Sequence, residues 1–182
     1  MKAVVVKSPK QAVLVSDRPK PKLRDGYILV KTTAVALNPT DWKGINAGSA
    51  EDGALVGVDY AGIVEEVGPN VSKPFEKGDH VAGFVHGCNL SQSEDGAFAE
   101  YIVAKENVSI KVPDSLTTEQ ASTLGCGVST VGQGLYQPGY GLELALPSHP
   151  IQTQETLLIY GGSTATGTLG IQFAVAYVQP HF

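Results

Sequence analysis

Cysteine is scarce in this chain: Cys88 and Cys126 are the only two among 182 residues. They can form at most one disulfide, which excludes an extracellular scaffold held together by bridges. Long apolar runs are also missing, and no stretch approaches the ~20 residues that a transmembrane helix needs. The opening Met1-Lys2-Ala3-Val4-Val5-Val6 is too short an apolar run for a secretory leader, and Lys7 ends it. A cytoplasmic location is therefore expected, with no membrane partner. Basic residues are outnumbered, 13 Lys and Arg against 18 Asp and Glu, for a formal charge of -5. That balance offers no electrostatic footprint for nucleic acid or an anionic surface.

What is present is an ordinary globular composition, 42% hydrophobic and 17% charged, enough for one good core or one core and part of a second. Short Val- and Ile-rich runs fill the first two thirds: Val4–Val6, Val13–Val15, Tyr27–Ala36, Tyr60–Val67, His80–Val85 and Phe98–Val103. Turn chemistry separates them, as in Arg24-Asp25-Gly26, Gly68-Pro69-Asn70 and Lys77-Gly78-Asp79. The spacing predicts a compact, partly closed barrel over residues 1–116. At Thr117 the texture changes, because Thr117-Thr118-Glu119-Gln120 reads as a capping box opening a helix that runs to about Tyr136. Residues 117–182 are read as a hinge helix, a Gly- and Pro-containing linker over Gln137–Thr153, and the beginning of a nucleotide-binding domain.

That beginning is Leu157–Tyr160 as a buried parallel strand, Gly161-Gly162-Ser163-Thr164-Ala165-Thr166-Gly167 as a turn, and Thr168–Val178 as a helix. Glycine turns at helix starts hold phosphates because the first N–H groups of a helix have no partner within it. Read as G-x-G-x-x-G, the turn carries Thr164 where a bare backbone normally approaches the pyrophosphate. Ser163, Thr164 and Thr166 offer hydroxyl donors in compensation. Thr168 and Leu169 stand where a P-loop needs Lys and then Ser or Thr, so that motif is excluded. A tight turn without a ligand is the alternative.

Six motifs in order resemble the front half of a medium-chain dehydrogenase/reductase. They are Ala34–Lys43 (containing Asn38-Pro39-Thr40-Asp41-Trp42-Lys43), Gly57–Gly62, Gly78-Asp79-His80-Val81, Gly96–Tyr101, Gly127-Val128-Ser129-Thr130 and Tyr160–Gly167. Within that family the wording is most similar to fungal trans-acting enoyl reductases of polyketide biosynthesis. The resemblance implies a fold of α+β and α/β character, a GroES-like, partly open β-barrel followed by the first βα unit of a Rossmann domain. It also implies NADPH as cofactor and an enoyl thioester, held by a polyketide synthase partner, as substrate.

Zinc-dependent members place a Cys near Asn38 and a His-Glu pair near Val58-Asp59, and His86 with Cys88 supplies two ligands where a site needs three or four. The zinc-independent branch and no metal are therefore expected. By the same resemblance Lys43 and Thr130 are the catalytic candidates, touching cofactor or substrate carbonyl. Asn38, Thr40, Asp41 and Lys43 join Gly161, Gly162, Ser163, Thr164, Ala165, Thr166 and Gly167 in holding the cofactor. Val131, Gly132, Gln133, Gly134 and Leu135 line the acyl pocket. His80 is expected to be a packed or surface histidine. A doubly wound sheet has about five or six strands, and the residues after Gly167 leave room for no second one, so a cofactor domain truncated before its ribose-reading residue is expected. Two functional readings follow: an NADPH-dependent reductase, and a non-catalytic GroES-like remnant or partner-binding module.

Overall fold

The computed structural model describes residues 1–7, 10–149 and 156–177. Two compact units emerge, Met1–Cys126 and Gly127–Phe182. Pro150–Thr153 of the predicted linker and Val178 of the predicted last helix lie outside the described residues.

The first unit is built on a five-stranded antiparallel sheet in the order β6-β3-β4-β5-β7. Its strands are β3 (Tyr27–Ala36), β4 (Asp59–Val67), β5 (His80–Phe84), β6 (Tyr101–Lys105) and β7 (Ser109–Lys111). A hairpin of β1 (Ala3–Val6) and β2 (Ala12–Val15) accompanies it. The hairpin is stitched to the sheet's connections: Val4 N–H donates to the Phe98 carbonyl at 2.8 Å, and Val6 N–H to the Ala54 carbonyl at 2.9 Å. This partial closure buries Ile28, Val30, Leu55, Val64, Val81 and Ile102 in one cluster around Tyr60. The Tyr60 hydroxyl, inside that cluster, bonds Ser109 Oγ at 2.7 Å, as a buried polar group requires.

Between β3 and β4 lies α1 (Pro39–Ala47). Its Pro39 sits in the first turn, where a missing N–H costs nothing, and Gly48 ends it in a left-handed conformation at φ 68°. The capping box predicted at Thr117 is present: Gln120 N–H donates to Thr117 Oγ1 at 3.2 Å, and Thr117 N–H to Gln120 Oε1 at 2.9 Å. It opens only a short helix, α2 (Thr118–Ser122), which lays Ala121 on Ala61 and Ala82 of the sheet. A separate helix, α3 (Gly125–Tyr136), follows, so the single helix predicted to Tyr136 is two.

In the second unit, the remainder of α3 and α4 (Ala165–Tyr177) are the regular elements among the described residues. They meet through Gly127 and Leu169, and through an edge-to-face pair of Tyr136 and Phe173 with ring centres 6.2 Å apart. The predicted buried strand Leu157–Tyr160 is corrected here. Among the described residues it belongs to neither sheet, and Leu158 is 91% exposed. A strand exists only through its ladder of hydrogen bonds to a neighbour, and an apolar run alone does not supply the neighbour. The last helix begins at Ala165 rather than Thr168, because Thr164 caps it.

Candidate functional site

The Asn38–Lys43 segment owes its shape to carboxylates. Asn38 precedes α1, and its N–H donates to Asp41 Oδ2 at 2.7 Å, so the third residue of the helix reaches back to hold its entry. The Asn38 side-chain NH2 group donates to Asp59 Oδ2 at 2.8 Å. Asp59 opens β4, is 1% exposed, and accepts the Cys126 N–H on its other oxygen, Oδ1, at 2.6 Å. Both carboxyls are pushed above the ordinary range by burial. Asp59 rises to about 6, the Asn38 amide and the Cys126 N–H pulling it back and neighbouring Asp41 pushing it further up. Asp41 is raised too, with the Asn38 and Val58 N–H groups opposing the effect of burial.

Lys43 and Thr40 are exposed on α1, and the Lys43 ammonium sits 5.8 Å from the centre of the Trp42 ring. Cavities of 380, 660 and 420 Å³ in the first unit are lined respectively around Tyr27 and Phe84, around His80 and Lys111, and around Val35 and Phe98; Lys43 lines none of them. His80 is exposed at the start of β5. Cys88 and Cys126 form no disulfide, and among the described residues no group of three His, Cys, Asp or Glu is placed to hold a metal ion.

Gly125, the first residue of α3, has no Cβ for a steric reason. A Cβ there would lie 2.8 Å from Asp59 Oδ1 and would run into the Gly83 carbonyl. The buried carboxylate and the helix start fit because that methyl is missing. Asp59 is not among the candidate site residues that the sequence suggests. Its one signal there is an acid inside the otherwise apolar run Leu55–Gly62, a position at which only a paired carboxylate is tolerated.

The second unit carries the remaining candidates. Thr130 is exposed on α3, Val131 is buried, Gln133 and Gly134 are exposed, and Gly132 and Leu135 are half-buried. The Gly134 and Leu135 carbonyls are occupied by the N–H groups of Leu142 and Leu144, at 2.9 Å each, which pins the following loop to the end of the helix.

In the glycine turn, Gly161 adopts φ 78°, and Thr164 is the cap of α4. Its hydroxyl accepts the Gly167 N–H at 3.0 Å and donates to the Gly161 carbonyl at 2.8 Å. That proton is therefore already committed, and Ser163 and Thr166 are left as the exposed hydroxyls of the turn. Gly167 is buried against Gly161, whose carbonyl would collide with any Cβ at position 167. Past Thr164, the N–H groups of Ala165 and Thr166 have no carbonyl one turn earlier within the helix, the usual condition of a helix start.

Residues 24–114 match the alcohol dehydrogenase GroES-like domain. A trans-enoyl reductase of Cochliobolus carbonum, TOXD, is 58% identical over 173 residues, 95% of this chain and 57% of that protein. An alcohol dehydrogenase superfamily protein from Novosphingobium aromaticivorans is similar in structure, with TM-score 0.79 and 30% identity over 98% of this chain and 51% of its own. Mycobacterial Rv1454c, solved in complex with NADPH, aligns with TM-score 0.72 and 25% identity over 98% of this chain and 51% of its own. The chain spans about half the length of the relatives it matches.

Proposed function

Because the chain belongs to the medium-chain dehydrogenase/reductase family through its GroES-like domain, we propose that its residues serve NADPH-dependent reduction of an α,β-unsaturated thioester. The observation that carries this reading is the turn at Gly161–Gly167. It is a tight glycine turn with a capped 13-residue helix behind it and two helix-start N–H groups without helical partners. Such a turn suits the pyrophosphate of an NAD(P)-type dinucleotide. When bound, the cofactor supplies a hydride for the substrate's β-carbon.

In this reading the Ala165 and Thr166 N–H groups and the Ser163 and Thr166 hydroxyls take phosphate oxygens. Thr164 keeps the turn closed, and Gly167 lets it close. Lys43, a cation on a short capped helix, donates to a ribose hydroxyl or to the thioester carbonyl. Thr130 offers a hydroxyl to the same class of acceptor. Donors aimed at a carbonyl oxygen lower the barrier by holding the negative charge that develops there as the β-carbon is reduced. Val131–Leu135 line the acyl chain, with Gly132 and Leu135 as the half-buried positions beside exposed Gln133 and Gly134, and the thioester is presented by a polyketide synthase carrier.

The test is a fluorescence titration of the purified chain with NADPH and NADH, beside a Ser163→Ala/Thr166→Ala variant that spares the cap. Saturable NADPH binding, weakened at least roughly tenfold in the variant, supports the reading. A folded chain that binds neither dinucleotide favours the second reading, a barrel that binds a partner without catalysis. One observation speaks for that alternative: among the described residues, all of the buried hydrophobic side chains except Val131 lie within Met1–Cys126, so the barrel carries a core of its own.

A further inference from the structure

We propose that Asp59 is a positioning residue, a buried carboxylate that locks the start of the Asn38–Lys43 segment to the start of α3. Its two oxygens are divided between the two elements: Oδ2 takes the Asn38 side-chain amide at 2.8 Å, and Oδ1 takes the Cys126 N–H at 2.6 Å. Gly125 supplies the space for this, since a Cβ there would press on Oδ1. Asn38 is fixed in turn by its own N–H on Asp41, so the chain of bonds runs Cys126 to Asp59 to Asn38 to Asp41, from one helix start to the other. Lys43 lies two residues beyond Asp41 on α1, and Thr130 lies one turn beyond Cys126 on α3. The lock fixes the starts of the elements bearing both candidate residues without touching cofactor or substrate itself. It rests on the reductase reading only in naming Lys43 and Thr130 as candidate residues, and it is tested without turnover.

The lock is made of a carboxyl held out of water, which gives it a defined response to pH. The ionisable neighbour is Asp41 on α1, a like charge, and the Cys88 thiol on the loop after β5 faces Asp41. From β5, Phe84 is the register partner of Asp59 and brings no charge, and from α3 the contact is a backbone N–H. Among the described residues no cation contributes to the environment of Asp59. An opening that hydrates Asp59 returns it to an ordinary carboxylate, so ionisation favours the open form and protonation the closed form. With a closed value of about 6, opening becomes roughly tenfold more frequent between pH 5 and pH 7.5. Asp59→Asn retains both bonds, because the carbonyl of the introduced amide accepts from Cys126 and the Asn38 amide turns over to accept from its NH2 group. That variant removes the charge and keeps the lock. Asp59→Leu removes both bonds.

Hydrogen exchange followed by mass spectrometry over peptides containing 38–47 and 123–131, corrected for intrinsic rates, reads the lock directly. Wild type is expected to lose protection in both peptides together, roughly tenfold from pH 5 to 7.5, while β5 and β6 stay unchanged. Asp59→Asn is expected to be flat with pH. Asp59→Leu is expected to lose protection in both peptides at every pH, by roughly tenfold or more. Independent behaviour of the two peptides, a pH response that survives in Asp59→Asn, or unchanged protection in Asp59→Leu would each overturn the proposal. If Asp59→Leu does not fold, carbon NMR of the wild-type Asp59 carboxyl decides. A midpoint near 6 shared by the Cys126 amide supports the lock, and a midpoint below about 4.5 or an unmoved Cys126 amide refutes it.

Discussion

The two units of this chain bury apolar surface very differently. In Met1–Cys126 a large buried cluster forms around Tyr60, Leu55 and Ile102, although Leu14, Leu37, Trp42 and Leu90 remain exposed. In the second unit Tyr140, Leu142, Leu146, Leu157, Leu158, Tyr160, Ile171 and Val175 are exposed, and Val131 alone of the described hydrophobic residues is buried. The barrel is held by its own core. The glycine turn and α4 are held by local capping and a few contacts to α3. Asn38, Asp41 and Asp59 in the first unit are fixed by bonds to partly or fully buried carboxylates, whereas the glycine turn in the second depends on its own backbone and the Thr164 cap.

The sharpest way to break this contrast is a pair of truncations. Leu55→Ala, at a position 1% exposed, is expected to cost about 2–5 kcal/mol in urea unfolding. Leu158→Ala should stay within roughly 0.5 kcal/mol, and a larger loss would mean that Leu158 is buried in solution.

A second test concerns charge in the barrel. Because the folded value for Asp59 is raised to about 6 from an ordinary 3.8, its contribution to stability is complete below the unfolded value and is lost as pH rises through 6. The difference in unfolding free energy between wild type and Asp59→Asn should therefore shift in favour of Asn by on the order of 2 kcal/mol from about pH 4 to about pH 7. A constant difference would refute burial of an ionisable group there.

The turn gives a smaller effect confined to the other unit. Gly167→Ala must open the Gly161 contact, and NADPH affinity is expected to fall roughly tenfold while the barrel's melting temperature is unchanged. Smallest is Thr117→Ala, which removes the cap of α2 and should cost about 1 kcal/mol in barrel stability. Loss of dinucleotide binding in that variant would contradict the separation of roles.

Much of the barrel is legible in the sequence because its signals are local. β3 occupies Tyr27–Ala36, the run bounded by Asp25-Gly26 and Asn38-Pro39, and the Thr117–Gln120 box forms as its residue types require. β7 leaves no such mark, since Ser109–Lys111 is three residues long and gains strand character only by pairing with Val81–Gly83. α1 is equally hard to read as a helix, because its stabilising bonds come from Asp41 and Asp59 rather than from an apolar stripe. Leu157–Tyr160 misleads for the opposite reason: its composition suits a buried strand, but a strand needs a neighbour. For the candidate site, family resemblance points to Lys43 and Thr130, while the Asp59 lock depends on contacts that span 67 residues and leave no periodic trace.

The stitching of β1 between the connections near Ala54 and Phe98 also sets an order of events during synthesis. Both partners of the first strand emerge from the ribosome long after it does, and loop closure over such separations is slow. A nascent chain of fewer than about 100 residues therefore carries a Val-rich hairpin with one edge unpaired, open to association with other chains. The unit with the larger buried core thus has a first strand that waits for distant partners while it is being made, and slower translation before Phe98 should lower its soluble yield.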